Sequence, residues 1–117
     1  MTPEAFQHFR TAQPDCALLV LSDTRSGTVL AADGALAYPQ EYLDGISATA
    51  RAALNAPGGE RPWAVFVGPN GAQLFQRVPH LGDVALTCLI PPETDVDMLL
   101  QELSAFARTL DPWEAAA

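Results

Sequence analysis

No lysine occurs in the 117 residues, and the basic side chains are six arginines dispersed at positions 10, 25, 51, 61, 77 and 108. Fourteen Asp and Glu oppose them, for a formal net charge of -8. That imbalance argues against duplex nucleic acid, whose affinity comes mainly from phosphates neutralised by Lys and Arg. It argues equally against an anionic membrane surface, which attracts basic segments. Only two cysteines are present, far apart in the chain, which excludes a disulfide-rich scaffold. Long apolar runs are missing too. The longest, Cys16 to Leu21, falls far short of the about 20 residues that span a bilayer. Met1-Thr2-Pro3-Glu4 has neither the basic region nor the apolar stretch of a secretory signal. The expectation is a cytoplasmic chain with no nucleic-acid or membrane partner.

What is present suits one globular domain, residues 1–117, with a core over about 3–110 and a tail from 111. Hydrophobic residues make up 49% and charged residues 17%, enough apolar material for an ordinary core. Thr2-Pro3-Glu4 reads as a helix start, since Thr caps free amides and Pro suits the first turn. Phe6 and Phe9 follow in a short helix that Gln13-Pro14-Asp15 ends. Cys16 to Leu21 and Thr28 to Ala32 read as strands joined by the turn-rich Ser22–Gly27, an antiparallel hairpin. Tyr38-Pro39-Gln40-Glu41 opens a second helix, with Tyr42, Leu43, Ile46, Ala50, Ala53 and Leu54 at helical spacing. Gly45 inside it costs about 1 kcal/mol relative to Ala. Asn55-Ala56-Pro57-Gly58-Gly59 stops it.

Trp63–Gly68 reads as a third strand. Pro69-Asn70-Gly71 is a tight turn, Asn-Gly being suited to positive φ angles. Ala72–Val78 and Val84–Ile90 are the fourth and fifth strands, the fifth apolar almost throughout and so central and covered. Thr94 or Asp95 then caps a third helix, whose stripe is Val96, Leu99, Leu100, Leu103, Phe106, Ala107 and Leu110. Asp111-Pro112 ends it. Helices interrupting an antiparallel sheet make an α+β sandwich.

Motifs for chemistry are few. His8, His80, Cys16 and Cys88 show no metal-ligand spacing. Both cysteines sit in apolar runs and read as buried thiols acting as small hydrophobes. No phosphate loop or nucleophile elbow is present. Asp95 and Asp97 complement a helix dipole. Asp23 and Asp33 flank the first hairpin, where turn chemistry explains them at least as well as a cation. Arg25 reads as a solvated turn residue, and Trp63 as either a core aromatic or an interface anchor.

Several runs together resemble the roadblock / dynein light chain family, in a bacterial-type single-domain form. Cys16-Ala17-Leu18-Leu19-Val20-Leu21-Ser22 looks like that family's first strand and Gly27-Thr28-Val29-Leu30-Ala31 like its second. The Ala-rich helix Glu41–Leu54 is similar to its central helix. Leu86-Thr87-Cys88-Leu89-Ile90 and the Leu-rich helix after it are similar to its closing strand and helix. The first turn is longer than the family's usual one, and Pro91-Pro92-Glu93-Thr94 replaces a small apolar-Gly step.

The resemblance implies a five-stranded antiparallel sheet in the order 2-1-5-4-3. The central helix lies on one face and the terminal helices on the other. It also implies a homodimer in which third strands pair edge to edge and central helices pack together. That would place Tyr42, Ile46, Thr49 and Ala53 of the helix, and Trp63, Val65, Phe66 and Val67 of the strand, at the interface. Family members act as scaffolds, motor-complex subunits or regulators of small Ras-like GTPases, not as enzymes. The implied function is therefore a non-catalytic dimeric platform for a small GTPase or signalling complex, with no catalytic, cofactor or metal site. The alternative is a small-molecule sensor of profilin-like, PAS or GAF type, with Thr87 and Gln73 as candidate pocket polar groups.

Overall fold

Polar residues are scarce on two of the strands, and this decides the layering. The computed structural model describes residues 3–55 and 61–110. Its elements are α1 (Pro3–Ala12), β1 (Leu18–Asp23), β2 (Thr28–Gly34), α2 (Gln40–Leu54), β3 (Trp63–Gly68), β4 (Gly71–Val78), β5 (Val84–Ile90) and α3 (Val96–Thr109), with a 3₁₀ turn at Pro79–Leu81. The strands form one antiparallel sheet in the order β2-β1-β5-β4-β3, as expected. Leu18, Leu19, Val20 and Leu21 of β1 are all at most 1% exposed, so this strand has no wet face. Successive side chains of a strand point to opposite faces. Leu19 and Leu21 join Phe6 of α1 and Leu99 and Leu103 of α3. Leu18 and Val20 pack on Ile46 of α2. Farther along the α2 face, Ala50, Ala53 and Leu54 meet Phe75 and Ala85. Each fully buried Leu contributes about 2 kcal/mol relative to exposure.

Local details follow from the residues. β1 starts two positions later than expected, because the Cys16 amide still donates to Gln13 O at 2.9 Å and the chain is turning there. β2 runs on to Gly34, which pairs with Leu18. Leu21 and Ser22 oppose Ala31 and Val29, so Leu30 is an extra residue and β2 is bulged there. Asp95, not Thr94, caps α3, its Oδ1 accepting from the Met98 amide at 3.1 Å. In the Pro69-Asn70 turn the positive φ falls on Gly71 alone, at 137°, and no non-glycine residue among those described takes one. Pro69 holds its own φ negative, which excludes the primed turns expected from Asn-Gly. The Thr2 cap, the 56–59 stop and the Asp111-Pro112 stop lie outside the described residues.

One arginine ties the layers together. Arg77 lies on β4, is 8% exposed, and faces the end of α2. Its Nη2 donates to Leu54 O at 3.0 Å and to Asn55 Oδ1 at 2.8 Å, and its Nε donates to Arg61 O at 3.0 Å. Its amide donates to Pro62 O at 2.9 Å. The last carbonyls of a helix lack intrahelical partners and carry partial negative charge, so a cation there satisfies both needs. Arg77→Met keeps most of the stem volume but removes these bonds, leaving Leu54 O with the Arg61 amide at 2.9 Å alone. It should lower the unfolding free energy by about 2–3 kcal/mol, read as a lower urea midpoint with an unchanged slope. A change below about 0.5 kcal/mol, the range of ordinary surface substitutions, would show that the clamp contributes nothing.

Candidate functional site

β3 is an edge strand, bonded to β4 on one side only. Native edges are normally blunted by a charge, a proline or a bulge. Trp63-Ala64-Val65-Phe66-Val67-Gly68 contains none of these, and its pairing with β4 is regular from Trp63 opposite Gln76 to Gly68 opposite Gly71. Trp63 is 51% exposed, Phe66 48% and Val67 78%. Val65 is half-buried against the core beneath α3. Phe66 points to the other face, its ring edge-on to Phe75 at 5.3 Å between centroids. Trp63 is therefore no core aromatic.

The α2 residues named with β3 divide. Tyr42 is exposed and stacks on Tyr38 at 5.4 Å, and Thr49 is half-buried with its hydroxyl donating to Gly45 O at 2.9 Å. Ile46 and Ala53, each 4% exposed, lie in the chain's own core against the sheet. The outward face carries instead Tyr42, Gly45, Ala48, Thr49 and Ala52, together with the exposed Glu41, Asp44 and Arg51. Apart from its chain neighbours and the helix's own backbone, no atom of the described residues lies within 4 Å of where a Cβ on Gly45 would stand. Among the described residues, the glycine therefore answers no packing need.

At the β3–β4 hairpin end of the sheet, an open cleft of about 740 Å³ runs between Tyr42, Phe66, Gln73, Ile90 and the Pro14–Ala17 segment. Gln73 Oε1 is buried with no hydrogen-bond partner among the described residues. Thr87, the other polar candidate, is fully buried and does not line the cleft. Arg10, on the cleft wall, pairs with Asp33 and donates from Nη1 to Cys16 O at 3.4 Å. Asp23 Oδ1 accepts the amides of Arg25 and Ser26 at 2.9 and 3.3 Å, so the two hairpin carboxylates are engaged structurally. His8 is exposed on α1, and His80 Nε2 lies 2.5 Å from Leu110 O. No three His, Cys, Asp or Glu among the described residues gather around a point that could hold a metal ion. No helix among them is long and apolar enough to cross a membrane.

Gly71 sets the mouth of the cleft, and no other residue type fits there. A Cβ on it would stand 2.2 Å from Ile90 O, on a backbone already at positive φ. Gly71→Ala should cost about 2–4 kcal/mol in unfolding free energy through combined clash and strain. A variant melting within about 1 °C of the wild type, where 1 kcal/mol moves a small domain by several degrees, would show that the hairpin can shift freely.

No protein-family model matches the sequence, and no curated protein does. Solved structures do match. The Roadblock/LC7 domain from Streptomyces avermitilis superposes with a TM-score of 0.74 at 16% identity, over 92% of this chain and 96% of that one. MglB in a tetrameric arrangement gives 0.71 at 16% identity, over 92% and 87%. Myxococcus xanthus MglB gives 0.65 at 15% identity, over 92% and 87%. At these identities the likeness is one of architecture. The chain has the roadblock fold.

Proposed function

We propose that the chain is a non-catalytic platform that pairs with a second copy of itself and presents the pair to a small Ras-like GTPase or a signalling complex. The observation that carries this reading is the β3 edge, apolar, uncharged, regular and unpaired. A second β3 laid antiparallel beside it would satisfy the free amides and carbonyls and cover Trp63 and Val67. The outward face of α2 supports the same arrangement. Gly45, Ala48 and Ala52 are small there, and Gly45 accepts a propensity cost of about 1 kcal/mol with no close contact among the described residues to require it. The proposed interface thus comprises Tyr42, Thr49, Trp63, Val65, Phe66 and Val67 with the small α2 residues, while Ile46 and Ala53 support it from beneath. A stable dimer needs total burial of more than about 1,000 Å², so the strand pair and the helix pair would have to act together. The GTPase arm rests on the family resemblance and on the likeness to MglB in fold.

The buried, unpartnered Gln73 Oε1 beside Phe66 favours one second reading, a small-molecule sensor using the cleft. An open cleft suits a docking groove better than an enclosed ligand site. Unchanged melting across a panel of nucleotides and metabolites would remove the sensor reading, since a ligand of the folded state raises its stability.

Light scattering after size exclusion should give a molar mass near twice 12.4 kDa. Val67→Asp and Gly45→Leu should each move the mass toward the monomer, with folded far-UV circular dichroism retained. A monomer at every concentration would overturn the platform. Single-turnover GTP hydrolysis by Ras-like GTPases of the same organism, with and without the dimer in excess, tests the partner separately.

A further inference from the structure

Cys16 and Cys88 are 72 positions apart in sequence, yet the pairing of β1 with β5 brings them together. Leu19 lies opposite Cys88, Ala17 bonds to Leu89 O at 2.9 Å, and Cys16, two residues before β1 begins, shares a buried cluster with Cys88. The Cys88 thiol donates to Cys16 Sγ at 2.8 Å. Both side chains are buried, among Phe6, Leu19, Ile90 and Leu103. A disulfide needs its sulfurs at about 2.05 Å, so less than about 1 Å of approach separates the pair from a bond. That movement is within reach of side-chain rotation, and the paired strands hold the backbones in place.

We propose that Cys16 and Cys88 are an oxidation site for peroxides, closing an internal disulfide across the centre of the sheet. The two sulfurs are not equivalent. Cys16, 1% exposed, is among the residues that line the cleft beside Arg10 and Asp15 and Cys88 is not, so Cys16 takes the first contact with a peroxide entering from that side. Cys88 lies behind it, fully buried. The hydrogen bond to Cys16, and then burial, push the Cys88 thiol up, so it stays protonated until it reacts. In the first step the Cys16 sulfur attacks one peroxide oxygen. The O–O bond breaks, a sulfenic acid forms, and the other oxygen leaves as water (or as an alcohol from an alkyl peroxide) with the Cys16 proton. In the second step the Cys88 sulfur attacks the Cys16 sulfur. The S–O bond breaks, the S–S bond forms, and the hydroxyl leaves as water with the Cys88 proton. Two thiols give up two electrons, and the peroxide takes both. A cellular dithiol returns the pair to the reduced state by exchange.

The closed loop would span most of the chain, the case in which a cross-link restricts the unfolded state most strongly. The proposal does not depend on dimerisation or on any partner. It is tested on the intact protein, reduced, desalted and treated with hydrogen peroxide. Supporting outcomes are a mass lower by two hydrogen atoms, no thiol left to alkylate after denaturation, and a melting temperature raised by about 10 °C, all reversed by dithiothreitol. Cys88→Ala should stop at a sulfenic acid on Cys16 that dimedone traps, while Cys16→Ala should give no adduct. Two alkylatable thiols after treatment, added oxygen without loss of hydrogen, or a cross-link between chains would each overturn it. The wild-type mass decides even if neither alanine variant folds.

Discussion

A strand with no polar face needs a dry layer on both sides, and β1 and β5 are two such strands side by side. Their burial forces α2 onto one face and α1 with α3 onto the other. Three helices then cover the centre of the sheet and stop short of its margin. β3 has Phe75 and Leu74 of β4 beside its own side chains but, among the described residues, no strand beyond its free edge. The apolar edge is thus a consequence of the core. Material that makes β1 and β5 stable at the centre leaves an outer strand whose composition is that of an interior.

Much of this was legible because punctuation and pattern agreed. β3 and β5 match their expected bounds to the residue, since Pro and Gly flank them and β-branched or aromatic residues fill them. Asp95 was one of two candidate caps, and a hydrogen bond chose it. The rotation of α2 was harder. Alanines occupy the buried face at 50 and 53 and the exposed face at 48 and 52. Helical spacing already put Ile46, Ala50, Ala53 and Leu54 on one stripe, and it was the family resemblance that placed Ile46 and Ala53 at an interface instead. The sheet beneath, through Val20, Phe75 and Ala85, takes that stripe into the chain's own core.

Long-range polar and thiol contacts were out of reach for a different reason. Arg77 binds backbone carbonyls, which carry no residue-type signal, so nothing near it in the chain marked it as more than a polar strand residue. Cys16 and Cys88 become neighbours only through the β1–β5 register, and Gln73 meets the cleft only through the β3–β4 turn. Such contacts belong to topology. The implied strand order 2-1-5-4-3, carried down to the individual rungs, was the one signal that could have exposed the cysteine pair.

The bulge at Leu30 has a consequence for assembly. A sheet of this kind has two borders, and chains whose borders both accepted strands would stack without end into fibres. β2 forms the other border, kinked where Leu30 is inserted and closed off near its end by the Arg10–Asp33 pair. A bulged border twists away from an incoming strand. In the pairing proposed above, growth would proceed from the β3 side alone, and association through it would end at two subunits.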